Sequence, residues 1–142
     1  RFRYSLTSVA GALSDGDAVR RGCEFLTPLQ TIFTEHPGLR PLPPVAGVLA
    51  LEPPQIQLIA LKRAEDGCGW IARLWNPADR GATARVTLLG GRLQAARLTN
   101  LAEEDTDQAL AANPEGVSVP VPARAVVTVR LIPEPVALNH GT

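Results

Sequence analysis

Ile56-Gln57-Leu58-Ile59-Ala60-Leu61-Lys62-Arg63-Ala64-Glu65-Asp66-Gly67-Cys68-Gly69-Trp70-Ile71-Ala72-Arg73-Leu74-Trp75-Asn76 reads as two β-strands folded back on each other. The first arm is apolar on both faces from Leu58 to Leu61, and the second alternates large apolar side chains with small or charged ones. Asp66-Gly67 supplies the positive-φ chemistry of the reversal. The pattern predicts a central hairpin around which the other strands arrange.

Working outward, Asn76-Pro77-Ala78-Asp79-Arg80-Gly81 is a turn cluster, after which Ala84, Val86 and Leu88 alternate with Arg85, Thr87 and Leu89. Gly90-Gly91 reverses the chain and Leu93–Leu98 returns. Leu101 to Asn113 is polar and acidic and reads as a loop, closed by the turn signal Asn113-Pro114-Glu115-Gly116. Val117, Val119 and Val121 alternate with residues that include Pro120 and Pro122, which predicts a rim strand. Ala125 to Ile132 is β-branched and apolar on both faces except at Thr128 and Arg130, which predicts a central strand. On the other side of the hairpin, Val48–Leu51 is a short strand ahead of Pro53-Pro54.

Further upstream, Ser14 can cap a helix whose first turn carries Asp15 and Asp17, and Pro28 ends it by Phe25 or Leu26. Leu29 to Phe33 can be extended, and Thr34 to Pro44 is a proline-rich connector. Phe2, Tyr4 and Leu6 alternate as a strand would, and such a strand needs a partner. Together with the missing initiator Met, this suggests a piece cut from a longer polypeptide. The expected fold is all-β, an antiparallel β-sandwich with one short N-terminal helix. Residues 1–44 form the strand, helix and connector of a preceding region, 45–132 the sandwich, and 133–142 a disordered tail.

At 142 residues the chain is one domain by length and can bury roughly 68–70% of its unfolded surface. Fourteen basic residues balance fourteen acidic ones, so no net field recruits nucleic acid or an anionic membrane. No apolar run approaches the ~20 residues of a membrane helix, and a soluble chain is expected. With no Asn-x-Ser/Thr acceptor present, the expected compartment is the cytoplasm. Cys23 and Cys68 are too few for a disulfide framework and read as reduced, partly buried thiols.

No arrangement of nucleophile, acid, base or metal ligand stands out. His36 and His140 each lack a second ligand at metal-binding spacing. Cys23 falls on a helix face where a buried structural thiol is the commoner occupant. The acidic groups, Asp15 with Asp17, Glu65 with Asp66, and Glu103-Glu104-Asp105 with Asp107, sit where acids cap, turn or solvate, not where a glycosidase pair would be poised. Trp70 and Trp75 are the candidate carbohydrate contacts, because an exposed indole can stack on a sugar ring. Trp70 shares parity with Ala72 and Leu74, and Trp75 with Ile71 and Arg73. At most one of the two therefore faces a common ligand platform, and both read more readily as core or interface residues.

The residues Leu58 to Gly67 followed by Arg73-Leu74-Trp75-Asn76 resemble the last β-domain of glycoside hydrolase family 38, the α-mannosidases. Phe2-Arg3-Tyr4-Ser5-Leu6, Phe25 to Leu29, Leu101-Ala102-Glu103 and Thr128-Val129-Arg130-Leu131 resemble further family segments in the same order. The family often carries Asn where Leu26 stands and Pro-His where Thr7-Ser8 stand, so those segments align less closely. The resemblance implies a non-catalytic C-terminal β-sandwich of a retaining hydrolase. Its zinc, zinc ligands and nucleophile would belong to an N-terminal catalytic domain. It implies no cofactor in this chain, the remaining domains of the same polypeptide as partners, and hydrolysis of α-mannosides as the parent activity. A carbohydrate-binding sandwich using one exposed Trp is the alternative, with α-mannosides as the carbohydrate partner.

Overall fold

The computed structural model describes residues 2–27, 29–33, 45–89 and 91–135. His36, His140, the whole of the 34–44 connector, Gly90 and the tail beyond residue 135 lie outside them. One helix, α1 (Asp15–Leu26), precedes nine strands: β1 (Leu49–Glu52), β2 (Gln57–Arg63), β3 (Trp70–Trp75), β4 (Ala82–Leu88), β5 (Leu93–Thr99), β6 (Asp105–Leu110), β7 (Ala112–Asn113), β8 (Gly116–Val121) and β9 (Val126–Pro133). They form two antiparallel sheets, β1-β4-β8-β7 and β2-β3-β9-β5-β6. The chain is an all-β sandwich with one short helix.

The period of two along each strand decides what lies between the sheets. Ala72, Leu74, Val129, Leu131 and Ala96 face inward from the five-stranded sheet, against Ala84, Val86, Val117, Val119 and Val121 of the other. Each fully buried Val or Leu contributes about 1.5–3 kcal/mol by leaving water. Asn76 is fully buried where β3 ends. Its Nδ2 donates to the carbonyls of Arg80 (2.8 Å), Pro122 (3.1 Å) and Val121 (3.2 Å), and its Oδ1 accepts from the Ala78 N–H at 3.1 Å. One side chain thus ties the end of β3 to the end of β8 across the sandwich.

β9 is the middle strand of its sheet, as its apolar run predicts, and β3 is interior, but β2 is an edge strand. The stretch expected to be a loop, 101–113, contains β6 and β7. β6 is an outer strand whose residues from Asp105 to Ala109 are exposed, so its polar side chains hide its pairing with β5. β8 lies at the rim over its proline-bearing part, as expected, while Val117, Val119 and Val121 turn inward and are all buried. Its prolines are accommodated because β7 pairs only with Gly116 and Val117, which leaves the outer edge of the remaining residues free.

Ser14 caps α1, its Oγ accepting from the Asp17 N–H at 3.1 Å, and the Thr27 N–H closes the other end on Cys23 O at 2.8 Å. Only the first turn is seated on the sandwich. A Cβ on Gly16 would stand 2.9 Å from Gln55 Cα, and Asp15 pairs with Arg124 at 3.2 Å. The rest of the helix has little over it, so Cys23, expected to be buried, is exposed, as is Cys68. Residues 2–6 form no strand, and Phe2, Tyr4 and Leu6 are exposed: the alternation is present without a sheet edge to pair it.

The β2–β3 turn closes through Ala64 N–H to Gly69 O (3.1 Å) and Gly67 N–H to Ala64 O (2.9 Å), with Gly67 at φ +79°. Gly69, at φ +86°, passes so near β9 that a Cβ there would lie 2.4 Å from Leu131 O. Gly69→Ala should therefore cost about 1–3 kcal/mol, read as a lower urea midpoint, whereas Gly91→Ala, with open space around it, should leave the midpoint nearly unchanged.

Candidate functional site

The outer face of the five-stranded sheet is the one part of the sandwich where polar side chains are gathered and buried. Register places them. Lys62, Ile71 and Arg130 form one row across β2, β3 and β9. Arg73, Thr128 and Thr99 form a second across β3, β9 and β5, and Trp75 stands beside Val126 in a third. Ile71 points away from the inter-sheet core yet is 0% exposed. Its cover follows from its neighbours, because Lys62 reaches the Glu103 carboxylate from one side while Arg130 Nη2 donates to the Glu103 carbonyl at 2.8 Å from the other. The 100–104 loop is drawn over Ile71 between them.

Arg130 is 6% exposed and uses most of its donors. Nη1 meets the Asp66 carboxylate at 2.8 and 2.9 Å and donates to Cys68 O at 3.0 Å, and Nε meets Asp105 at 2.9 Å. Glu103 stands at φ +67°, left-handed for a residue with a Cβ, and is 7% exposed. Its carboxylate also accepts from the Glu65 N–H at 3.1 Å, and Lys62 pairs with Glu65 at 3.1 Å. Asn100 shapes the loop, its Oδ1 accepting from the N–H groups of Ala102 (2.9 Å) and Glu104 (3.0 Å).

The electrostatics follow. The Lys62 ammonium, then the Glu65 N–H, hold Glu103 below the usual carboxylate range. The Cys68 N–H, then Arg130, hold Asp66 low. Glu103, then Glu65, push Lys62 up. Burial works against the charge of Arg130, but Asp66 and Asp105 more than offset it and raise its pKa. Asp66, Glu103 and Asp105, expected as solvated turn and loop acids, are instead counter-ions of two cations on the sheet. Asp66 and Glu103 are held in the ionised form, and the cluster latches two loops over the sheet.

The two indoles, Trp70 and Trp75, fall on opposite faces, as their parity requires. Trp70 is 40% exposed, at the rim of the sandwich beside Val48, Leu88, Leu89 and Pro133. Trp75 is half-buried on the outer face. Next to its neighbour Val126 opens a cleft of about 520 Å³, walled by Asn100, Leu101, Thr106, Asp107 and Gln108, with Thr99 and Thr128 beneath. Arg73 Nη2 donates to Leu101 O at 2.9 Å, fixing one wall, while Arg73 Nε and the Thr99 hydroxyl are buried without a hydrogen-bond partner. Sequence reasoning found the indoles but missed the latch and the cleft. The available signal was Arg130 itself, a guanidinium inside a strand otherwise apolar on both faces, which demands anions nearby.

Among the described residues, no three His, Cys, Asp or Glu side chains converge as metal ligands, and no helix is long and apolar enough to cross a membrane. Two antiparallel sheets packed face to face, with polar residues bracing the loops of one outer face, define a β-sandwich domain. The sequence model of the Glycosyl hydrolases family 38 C-terminal beta sandwich domain matches residues 55–130, more than half of the chain. The chain belongs to that family. No curated protein sequence matches it.

Two outcomes test the latch. Arg130→Met leaves Asp66, Asp105 and the Glu103 carbonyl without their partner and should cost on the order of 3 kcal/mol in urea unfolding. A carboxyl held low stabilises the fold wherever the unfolded chain has ionised. The gain from Asp66 and Glu103 is therefore complete above their ordinary values of 3.8 and 4.5 and is lost as pH falls through the lower folded ones. The urea midpoint should stay level near neutrality and drop below about pH 4, and Glu103→Gln should flatten that acid limb.

Proposed function

We propose that this chain is the non-catalytic β-sandwich of an α-mannosidase-like retaining glycoside hydrolase, packing against the zinc-dependent domain that cleaves α-mannosides. Family membership supports the hydrolase parent. The observation that carries the packing role is the stretch before the sandwich, where Phe2, Tyr4, Leu6, Leu29, Ile32 and Phe33 are all exposed. Apolar side chains at that density are kept exposed where a partner surface covers them. On this reading the partner is the rest of the same polypeptide, which also supplies the zinc ligands and the nucleophile, and the compartment is the cytoplasm.

A second reading, a carbohydrate-binding sandwich, draws on the exposure of Trp70 and on the cleft beside Trp75.

The chain alone should release no p-nitrophenol from p-nitrophenyl α-mannoside, with or without zinc. Turnover that co-elutes with the folded chain through gel filtration would contradict the non-catalytic role. Replacing Phe2, Tyr4 and Leu6 together with Ser should sharply reduce binding of a hydrophobic dye while leaving the melting temperature unchanged, since none of the three packs on the sandwich. A drop in melting temperature would show that the stretch serves the sandwich itself.

A further inference from the structure

We propose that the cleft beside Trp75 binds the pyranose ring of a neutral sugar. This deepens the carbohydrate-binding reading and stands independently of the packing role. The argument begins with the polar groups. The Thr99 hydroxyl is buried without a partner, in a residue only 7% exposed, and Arg73 Nε is likewise buried and unpaired. In register they flank the same residue, Thr128, from β5 and β3. Two unsatisfied groups on either side of one position are costly unless something hydrogen-bonds them, and Thr99 and Thr128 both line the cleft.

The chemistry of the walls selects the occupant. Asn100, Thr106 and Gln108 offer uncharged donors and acceptors, and Leu101 and Val126 offer apolar surface. Asp107 is the only charged group lining the cleft. Of the other charges of this face, Arg130 is paired with Asp66 and Asp105 and Lys62 with Glu103 and Glu65, while Arg73 lies outside the lining and gives one N–H to the Leu101 carbonyl. Within the lining itself an anionic ligand would meet no cation, only the Asp107 carboxylate. A ligand with one apolar face and a ring of hydroxyls matches all of these features. Trp75 is the register partner of the lining residue Val126 on the same face, and its half-buried indole, just outside the lining, is a flat surface on which the C–H face of such a ring can extend. Trp70 lies on the other face of the sheet and takes no part.

The test is titration of the 15N-labelled 142-residue chain with methyl α-mannoside, an α-linked mannobiose and methyl β-glucoside, following the two indole N–H resonances. A saturable shift of Trp75 with Trp70 unmoved is expected. Thr99→Val should weaken binding about 3–10-fold, by loss of one hydrogen bond, yet leave the melting temperature equal or higher, because the hydroxyl has no partner in the free chain. Trp75→Ala should weaken it about tenfold, and Gln108→Ala, an exposed wall change with no bearing on folding, a few-fold. Saturation by the glucoside in preference to the mannosides still supports the cleft while removing mannose as its ligand. No saturable shift with any of the three at hundreds of millimolar, a response at Trp70 instead, or equal affinity in Thr99→Val and Gln108→Ala would overturn the proposal.

Discussion

Arg130 is a guanidinium on the middle strand of a five-stranded sheet, and its charge must be answered from chain outside its two neighbouring strands. The answers come from three places: Asp66 and the Cys68 carbonyl in the β2–β3 turn, the Glu103 carbonyl in the β5–β6 connection, and Asp105 at the start of β6. Two loops separated by more than thirty residues are thereby fixed over one face. Replacing such a buried ionic group by well-packed apolar residues is often neutral or favourable, but removing one member alone strands the others. The arrangement is therefore better understood as setting where the loops lie than as a large net source of stability.

Loop placement has consequences beyond Ile71. Once Glu103 is drawn in by Lys62 and Arg130, the Leu101 carbonyl comes within reach of Arg73, and Leu101 becomes a wall of the cleft beside Val126. Glu103 adopts a left-handed backbone to do this, and Asn100 supplies the turn that makes it possible. The ionisable groups of this cluster thus hold surfaces in place. Each of these carboxylates has a cation or an N–H directed at it.

The inter-sheet core was legible where period-two alternation images a half-buried strand, as at Ala84, Val86 and Leu88, while the last strand read as apolar on both faces, with Thr128 and Arg130 the exceptions. The helix was legible through Ser14 and Pro28, which act locally. What could not be read depends on partners distant in sequence. β6 has a polar pattern because it is an exposed edge, and only pairing with β5 makes it a strand. β2 looks central because it is apolar on both faces, yet Leu58 and Ile59 lie at an irregularity in an edge strand and are exposed. Cys23 looked buried because a helix face was assumed to have a cover, and α1 touches the sandwich through its first turn alone. Parity put the indoles on opposite faces correctly, but the Thr99 cleft is assembled from β5, β6, β9 and a loop, and no local pattern announces it.

Native-state hydrogen exchange of the Glu65 and Cys68 amides addresses the latch most directly, because each donates to a carboxylate of the cluster, Glu103 at 3.1 Å and Asp66 at 2.8 Å, while lying in a turn that would otherwise exchange freely. If Arg130 and Lys62 hold these carboxylates in place, both amides should be protected, and Arg130→Met should release them while the β3 and β4 amides stay slow. Exchange of the two amides at the rate of an open turn in the unaltered chain would contradict the latch and, with it, the origin of the surface built upon it.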